Sequence, residues 1–323
     1  SPPRITEDAV EAVSLVVRSG WLGTGPLAKD FEQRFSDLCG VPSSAAVSSC
    51  TSGLFLAMKA LGLGPGDEII TSSMTFVSTV NSILHLGGKP VLVDIDPQSG
   101  NLDLAAVESA ITSRTRAIVP VHYAGFPVQM DILMEIARRE DLYVVEDCAH
   151  AVETLWAGRR AGTWGDAGVF SFYATKNIAV GEGGMVVSRD SELIEQVATL
   201  SLHGLSKGAW TRFSETGKRT YDVVDVGYKA NFTDLQAAIG LTQLAELEHN
   251  LERRKEIWDY YDGELGELPL DLPHLPAESG AIHARHLYVV RLPASKPRDE
   301  LVEALGDRHR VAFGVHYKAI TQF

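Results

Sequence analysis

Short apolar runs alternate with segments of helical periodicity through the first two thirds of the chain. The runs are β-branched and continuous rather than alternating, which is typical of strands that are covered on both faces. Seven runs predict strands, at residues 45–49, 68–72, 90–95, 117–122, 142–147, 169–173 and 184–188. Apolar residues recur at helical spacing between most of them, as in residues 52–61, 76–86, 104–111 and 130–139. This alternation predicts a mainly parallel sheet with helices on both faces.

The pattern changes after about residue 230. Residues 233–261 predict one long amphipathic helix, in which Thr233 is the N-cap and Gln236 completes a capping box. Beyond it, the sequence predicts a strand at 287–292, a helix at 298–305 and an extended run at 311–316. We therefore expect a large α/β domain over residues 1–235, followed by a linking helix and a smaller α+β lobe over 236–323. The chain starts without Met and ends abruptly at Phe323, so we expect lost ends and an incomplete lobe.

Composition and charge limit the partners. The 323 residues are 45% hydrophobic and 22% charged, as in an ordinary globular protein. A net charge of −13 disfavours nucleic acids and anionic membranes, and no apolar run approaches 18 residues, so no membrane span is expected. Cys39, Cys50 and Cys148 form no CxxC pair, which predicts reduced thiols in the cytoplasm and no metal site.

The familiar phosphate-binding loops are absent, but another anion site is available. Gly217-Lys218 is followed by Arg219, so a Walker loop fails, and no GxGxxG occurs. The first predicted strand instead runs directly into Cys50-Thr51-Ser52-Gly53 and a helix. Free backbone N–H groups and the helix dipole favour a phosphate there, and the hydroxyls of Thr51 and Ser52 add donors. An ordinary N-cap is the alternative interpretation.

Two further chemical groups follow strand ends. Asp147 closes a buried strand, where a carboxylate can bind magnesium, hold a protonated ring nitrogen or cap the next helix. Lys176 comes just after the next strand and before a glycine-rich turn, where burial lowers an amine pKa and favours a Schiff-base nucleophile. A phosphate site, a strand-end Asp and a strand-end Lys, in this order, are the groups that pyridoxal phosphate (PLP) requires.

Ordered blocks over most of the chain carry a resemblance. They are residues 19–26, 62–68, 75–79, 120–125, 146–147, 171–176, 182–184 and 227–238. With these blocks the sequence resembles the DegT/DnrJ/StrS family of sugar-nucleotide aminotransferases, which implies the type I, aspartate aminotransferase-like fold of PLP-dependent transferases with a mainly parallel seven-stranded sheet. The blocks around Trp21, His122 and 203–205 resemble the branch that aminates C4 of UDP-linked 4-keto sugars, including the 4-amino-4-deoxy-L-arabinose type.

The resemblance implies roles for individual residues. Lys176 matches the Schiff-base lysine that also moves the substrate proton, and Asp147 matches the carboxylate that pairs with the pyridine nitrogen. His150 lies near the ring, unless it is a simple helix-start histidine. Phe76 matches the aromatic that stacks on the ring, with a plain core aromatic as the alternative. The phosphate-binding positions are Thr51, Ser52 and Ser171.

The resemblance also implies a homodimer with a shared site. A residue of the segment 227–231 reaches the phosphate of the neighbouring subunit; Asn231 is the first choice and Lys229 the second. His316 and Tyr317 match a pair near the sugar site, with a strand-end pair as the alternative. Lys218, Arg219 and Lys229 are candidates for neutralising a nucleotide diphosphate. No role follows for Cys39, Cys148, His283 or His286.

The implied reaction moves an amino group from an amino acid, L-glutamate, to C4 of a nucleotide-linked keto sugar. A PLP-dependent sugar-nucleotide dehydratase of the same fold is one alternative, and a non-catalytic PLP-binding regulator is another. Lys176 favours transamination, since dehydratases of this type often carry His there. Intact Lys176 and Asp147 count against the regulator.

Overall fold

The computed structural model describes residues 3–206, 222–273 and 280–323. The strands are β1 Ser43–Val47, β2 Glu68–Ser72, β3 Lys89–Val93, β4 Thr115–Val119, β5 Tyr143–Asp147, β6 Leu155–Trp156, β7 Arg159–Arg160, β8 Ala167–Ser171 and β9 Gly184–Ser188. The helices are α1 Glu7–Ser19, α2 Pro26–Cys39, α3 Cys50–Ala60, α4 Val77–His85, α5 Leu104–Ala110, α6 Met130–Arg139, α7 Ser191–Ser201, α8 Asp234–Ala245, α9 Leu247–Leu265 and α10 Arg298–His309. Single 3₁₀ turns lie at Tyr123–Gly125 and Ile320–Gln322.

Seven strands form one sheet in the order β1-β9-β8-β5-β4-β2-β3. All neighbours pair in parallel except β9, which runs antiparallel to both β1 and β8. The predicted mainly parallel seven-stranded sheet is confirmed. Because six of the strands share one direction, their carboxyl ends meet at the same edge of the sheet, where open α/β sheets bind ligands.

Helices cover both faces of the sheet, as the continuous apolar strands predict. On one face, Val169 and Val186 pack under α3 and α7 in the cluster that contains Leu54 and Leu200. On the other face the neighbouring strand positions Phe170 and Met185 pack under α2 and α8. Aromatic rings dominate this second cluster: Phe35 lies edge-on to Phe170 with centroids 5.0 Å apart. A third cluster joins α5 and α6 to the β2–β4–β5 part of the sheet.

The long helix predicted at 233–261 is two helices. The capping box is confirmed, since Thr233 Oγ1 accepts the amide of Gln236 and the Gln236 side chain accepts the amide of Thr233. The helix ends at Glu246, whose φ of −93° and ψ of 2° leave the helical region. The break has a packing reason: α8 packs on α1 and α2, whereas α9 buries only Leu247 and Trp258.

The C-terminal prediction is confirmed for its helix and wrong for its strand. The helix α10 forms, although it has no buried residue. Residues 287–292 belong to no strand, and their one bridge joins Asp271 to Arg291. A strand needs a partner in space, and the described residues around 287–292 supply none beyond this bridge. The division into domains at residue 235 stays a prediction.

Candidate active site

The carboxyl edge of the sheet gathers residues that are far apart in sequence. β5 ends at Asp147, β8 leads through Ser171 to Lys176, and β2 leads to Phe76 at the start of α4. Asp147 lies close enough to Lys176 to act electrostatically on its amine. The edge therefore brings together the carboxylate, the amine and the aromatic ring that the sequence singles out.

Asp147 is a buried carboxylate with few partners. Its Oδ2 accepts a hydrogen bond from Thr79 Oγ1 at 2.7 Å, and its Oδ1 accepts one from the amide of Ala149 at 3.1 Å. Burial raises the pKa of Asp147, and the bonds from Thr79 and Ala149 oppose that rise. A carboxylate in this setting is stabilised by a cation, which a protonated ring nitrogen supplies.

Lys176 is half-buried in the turn that follows β8, where its amide donates to the carbonyl oxygen of Tyr173. Burial lowers the pKa of Lys176, while the Cys50 and Asp147 side chains act in the opposite direction. A lowered pKa increases the fraction of neutral amine, which is the form that attacks a carbonyl and accepts a proton. The side chain therefore has the chemistry of a Schiff-base lysine.

The anion site predicted from the sequence lies at the N-terminus of α3. Ser49 is its N-cap, and Ser52 completes a capping box by accepting the amide of Ser49. The hydroxyl of Ser52 thus serves the cap, which was the alternative interpretation from the sequence. The amides of Cys50 and Thr51 have no hydrogen-bond partner in the part of the chain that the structure describes, and they remain available to an anion.

Two neighbours shape this anion site. A Cβ on Gly184, the first residue of β9, would lie 2.7 Å from the Cys50 nitrogen, so only glycine allows β9 to pass so close to α3. Ser171 is buried at the end of β8, and its hydroxyl accepts the amide of Tyr173 at 3.4 Å. Of the three predicted phosphate residues, Thr51 and Ser171 have hydroxyl groups that can still donate to a phosphate oxygen.

The aromatic and imidazole residues form the wall of the site. Phe76 is 54% exposed, so it is not the core aromatic that the alternative required. Its ring lies 5.5 Å from that of Tyr317, and Tyr317 Oη lies 2.7 Å from His150 Nε2. The Tyr123 hydroxyl donates to the carbonyl oxygen of His316. The C-terminal His-Tyr pair therefore reaches the edge of the sheet.

The predicted inter-subunit residues lie beside β1. Asn231 bridges to Val47, and its Nδ2 donates to Thr24 Oγ1 at 2.7 Å. Lys229 is exposed and bridges to Leu202. A contact of either residue with a second subunit stays a prediction. Lys218 and Arg219 lie outside the described residues.

Sequence reasoning missed a polar network behind the site. Asn177 Oδ1 lies 2.9 Å from His286 Nδ1, and Asn177 Nδ2 donates to Glu153 Oε2 at 2.7 Å. Arg254 of α9 forms an ion pair with Glu153. In the sequence, only the position of Asn177 directly after Lys176 could have indicated this network, because the other residues of the network are distant in sequence.

A buried cluster of His122, Glu146 and Cys148 contains the side-chain types that ligate metal ions. The His122 and Glu146 side chains, however, are already hydrogen-bonded within the protein. His122 Nδ1 accepts the amide of Val128, and Nε2 lies 3.0 Å from Glu146 Oε2. The Glu146 oxygens also accept three backbone amides, from Gly162, Trp164 and Gly165. The cluster therefore fastens the loop between β7 and β8 beneath the site.

The residues present fit PLP. The site offers free amides at a helix N-terminus for the phosphate, a buried carboxylate for the ring nitrogen, and an amine of lowered pKa for the aldehyde. Fold and site together define a PLP-dependent aminotransferase of the type I class. The chain belongs to the DegT/DnrJ/EryC1/StrS aminotransferase family, whose model matches residues 3–323.

Known proteins agree with this assignment. The chain is 45% identical over 320 residues to the spore coat polysaccharide biosynthesis protein SpsC of Bacillus subtilis strain 168, covering 98% of this chain and 82% of SpsC. It is similar to the PMP-form of the putative sugar aminotransferase Spr1654 from Streptococcus pneumoniae, with a TM-score of 0.94, 33% identity, and coverage of 100% of this chain and 86% of that one.

A third relative is PseC of Helicobacter pylori, an aminotransferase involved in the biosynthesis of pseudoaminic acid. The TM-score is 0.90 at 30% identity, with coverage of 100% of this chain and 85% of PseC. The predicted fold class is confirmed. The predicted cofactor is confirmed at the level of the family, because Spr1654 has been solved in both PLP and PMP forms. Among the described helices, none is both long and apolar enough to cross a bilayer.

Proposed function

We propose that this enzyme transfers an amino group from L-glutamate to C4 of a nucleotide-linked keto sugar. One observation carries the proposal: the Lys176 amine, with its lowered pKa, and the buried carboxylate of Asp147 meet at the carboxyl edge of the sheet, close enough to act electrostatically on each other. The names of SpsC, Spr1654 and PseC, which refer to polysaccharide biosynthesis, a sugar and pseudoaminic acid, support a sugar as the acceptor.

PLP, when bound, supplies an electron sink that stabilises negative charge at the substrate carbon. The chain supplies the proton transfer and the orientation. Lys176 Nζ would move the proton between the substrate carbon and the C4′ carbon of the cofactor, and its lowered pKa favours the neutral amine that accepts this proton. Asp147 would hold the ring nitrogen, and its hydrogen bond from Thr79 fixes the carboxylate. The amides of Cys50 and Thr51 would hold the phosphate.

The acceptor end of the proposed site lies between Phe76 and the C-terminal pair. Tyr317 is half-buried against Phe76 and His150, and its hydroxyl oxygen lies 2.7 Å from His150 Nε2. His316 is exposed beside it. We assign sugar binding to His316 and Tyr317, and neutralisation of the nucleotide phosphates to basic residues such as Lys229.

The half-reactions test this proposal directly. The purified holoenzyme is mixed with L-glutamate, and its visible absorbance is followed; the PLP band is expected to bleach while 2-oxoglutarate appears. A panel of UDP- and dTDP-linked 3-keto and 4-keto sugars then identifies which one restores the band and is aminated, and at which carbon. Lys176→Ala removes both changes, whereas Lys296→Ala, an exposed lysine, leaves them intact.

Each failure has a distinct meaning. Elimination of a sugar hydroxyl without amine formation identifies a dehydratase and overturns the transamination. A spectrum that glutamate leaves unchanged, with sugars also inert, leaves only a PLP-binding regulator. Amination confined to C3 overturns the C4 assignment alone.

We also propose a homodimer with a shared site. Support comes from the segment before Asn231, in which Val223, Val224 and Val226 are 65%, 63% and 81% exposed, a combination that favours burial against another chain. Mixing Lys176→Ala with Asn231→Ala subunits tests the sharing. Restored activity in the mixture requires residues from two chains at one site; a mixture as inactive as its parents contradicts the shared site.

Three buried unpaired cysteines support a cytoplasmic location.

A further inference from the structure

Two imidazole rings lie against each other behind the site, tilted rather than parallel. The ring centroids of His150 and His286 are 4.4 Å apart, with 31° between the planes. The two residues come from different parts of the chain, His150 after β5 and His286 in the segment before α10. Each ring has its Nδ1 atom bonded to a different partner, and those partners decide where each ring carries its proton.

His150 is fixed as the Nε2–H tautomer. Its Nδ1 accepts the backbone amide of Ala124 at 3.1 Å, and an amide can only donate, so Nδ1 carries no proton. Ala124 lies in the left-handed region, with φ of 58°, inside the 3₁₀ turn that aims this amide. Burial lowers the pKa of His150 well below its ordinary value, so the ring is neutral and its proton is on Nε2.

His286 is fixed in the opposite way by Asn177. The Asn177 Nδ2 group donates to Glu153 Oε2 at 2.7 Å and to the carbonyl oxygen of Ala284 at 3.1 Å, both of which only accept. The Asn177 Oδ1 atom therefore faces His286, whose Nδ1 must donate across 2.9 Å. Burial lowers the pKa of His286 as well, which favours the neutral ring with its proton on Nδ1.

The tautomer of His150 sets the direction of the next hydrogen bond. Its Nε2–H donates to Tyr317 Oη across 2.7 Å, so the tyrosine oxygen is the acceptor. The hydroxyl proton of Tyr317 must then point elsewhere, and the neighbouring ring of Phe76 offers it no acceptor. The hydroxyl is left as a donor without a partner among the described residues, at the open side of the site.

We propose that His150 and His286 are a positioning pair with opposite tautomers, which makes the Tyr317 hydroxyl a directed hydrogen-bond donor to an oxygen of the sugar substrate. This inference rests on the proposed function and deepens it. His286 supports the His150 ring by packing against it and is itself oriented by Asn177, the residue next to Lys176. The network thus joins the residue that follows Lys176 in the chain to the Tyr317 hydroxyl.

The tautomers are measured without any turnover, by nitrogen-15 NMR of the holoenzyme with labelled histidine, assigned with His150→Gln and His286→Asn. We expect an Nε2–H pattern for His150 and an Nδ1–H pattern for His286 between about pH 6 and pH 8, the range in which an ordinary histidine titrates. Reversed or averaged patterns for either ring overturn the proposal. Failure of the proposed reaction leaves this measurement unaffected.

The donor role is tested on the two half-reactions separately. Tyr317→Phe is expected to lower kcat/KM for the keto-sugar half-reaction by about ten- to a hundredfold and to leave the glutamate half-reaction unchanged. His150→Leu should have a similar effect, His150→Gln should retain most of the activity, and His150→Leu combined with Tyr317→Phe should be no worse than Tyr317→Phe alone. Equal losses in both half-reactions, or additive losses in the double variant, overturn the proposal. Tyr260→Phe and His249→Gln, at exposed positions, are the controls.

Discussion

Thr79 Oγ1 donates a hydrogen bond to Asp147 Oδ2 at 2.7 Å, and this bond ties α4 to the end of β5. Thr79 itself is paired with Thr75, whose Oγ1 lies 2.8 Å away. The bond stabilises the charged form of Asp147 and so lowers its pKa, against the effect of burial. The ionisation of the Asp147 carboxylate thus depends on a threonine of another element.

Thr79→Val keeps the side-chain shape and removes the donor. We expect the affinity for PLP to fall by about tenfold or more, because a hydrogen bond to a charged group contributes roughly 1.5–3 kcal/mol. Thr79→Ser keeps a hydroxyl and should retain most of the affinity. Fluorescence titration of the apoenzyme with PLP measures both variants. Equal affinities for the valine and serine variants would falsify this role.

Phe76→Ala separates binding from folding. The ring is 54% exposed, so its removal should change the free energy of unfolding by less than about 0.5 kcal/mol. Loss of its stacking face should weaken PLP binding by about tenfold. Ile132→Ala, at a 44% exposed position on α6, is the matched control and should leave binding unchanged. A large loss of stability with normal binding would assign Phe76 to packing instead.

Glu146→Gln tests the buried loop anchor. The carboxylate accepts hydrogen bonds from three backbone amides and faces His122. A glutamine has an NH₂ group in place of one oxygen, and this group would face N–H groups that also need an acceptor. We expect a loss of roughly 3 kcal/mol or more in the free energy of unfolding, measured in urea. Glu108→Gln, in an exposed pair with Arg139, should cost less than about 1 kcal/mol. Similar costs for the two variants contradict the anchoring role.

Glu68 predicts a pH dependence of stability. Hydrogen bonds from Thr112, Arg114 and Lys89 lower the pKa of Glu68 from 4.5 to about 2. Since the folded protein holds the charged form more strongly than the unfolded chain, this stabilisation is full above pH 4.5 and is lost as the pH falls towards 2. The urea midpoints of wild type and Glu68→Gln should therefore converge over that interval. A constant difference across it contradicts the assignment.

The sequence predicts the sheet and the strand-end residues well, because both depend on local order. Lys176 and Asp147 follow buried apolar runs, and parallel strands necessarily bring such ends to one edge. The capping box at Thr233 is also local, and it forms as predicted. The break at Glu246 carries no glycine or proline, so periodicity alone extends the helix across it.

What the sequence could not predict depends on pairs that meet only in the folded chain. Thr79 and Asp147 are 68 residues apart, and Asn177 and His286 are 109 apart. A lone threonine, asparagine or histidine has no pattern that indicates its partner. The hydroxyl of Ser52 illustrates a related limit, because the same residue type serves a helix cap and a phosphate, and the local hydrogen bonds decide between them.

The antiparallel strand β9 has a consequence for how the protein is made. β1 lies at the edge of the sheet and pairs with β9, which the ribosome produces only after β2, β3, β4, β5 and β8. The early strands can therefore assemble while β1 waits unpaired, with its apolar face open to other chains. The anion site at the start of α3 is completed when β9 is inserted between β1 and β8. Slow synthesis before Ser188 would thus prolong the stage at which β1 has no partner strand and the nascent chain is prone to aggregate.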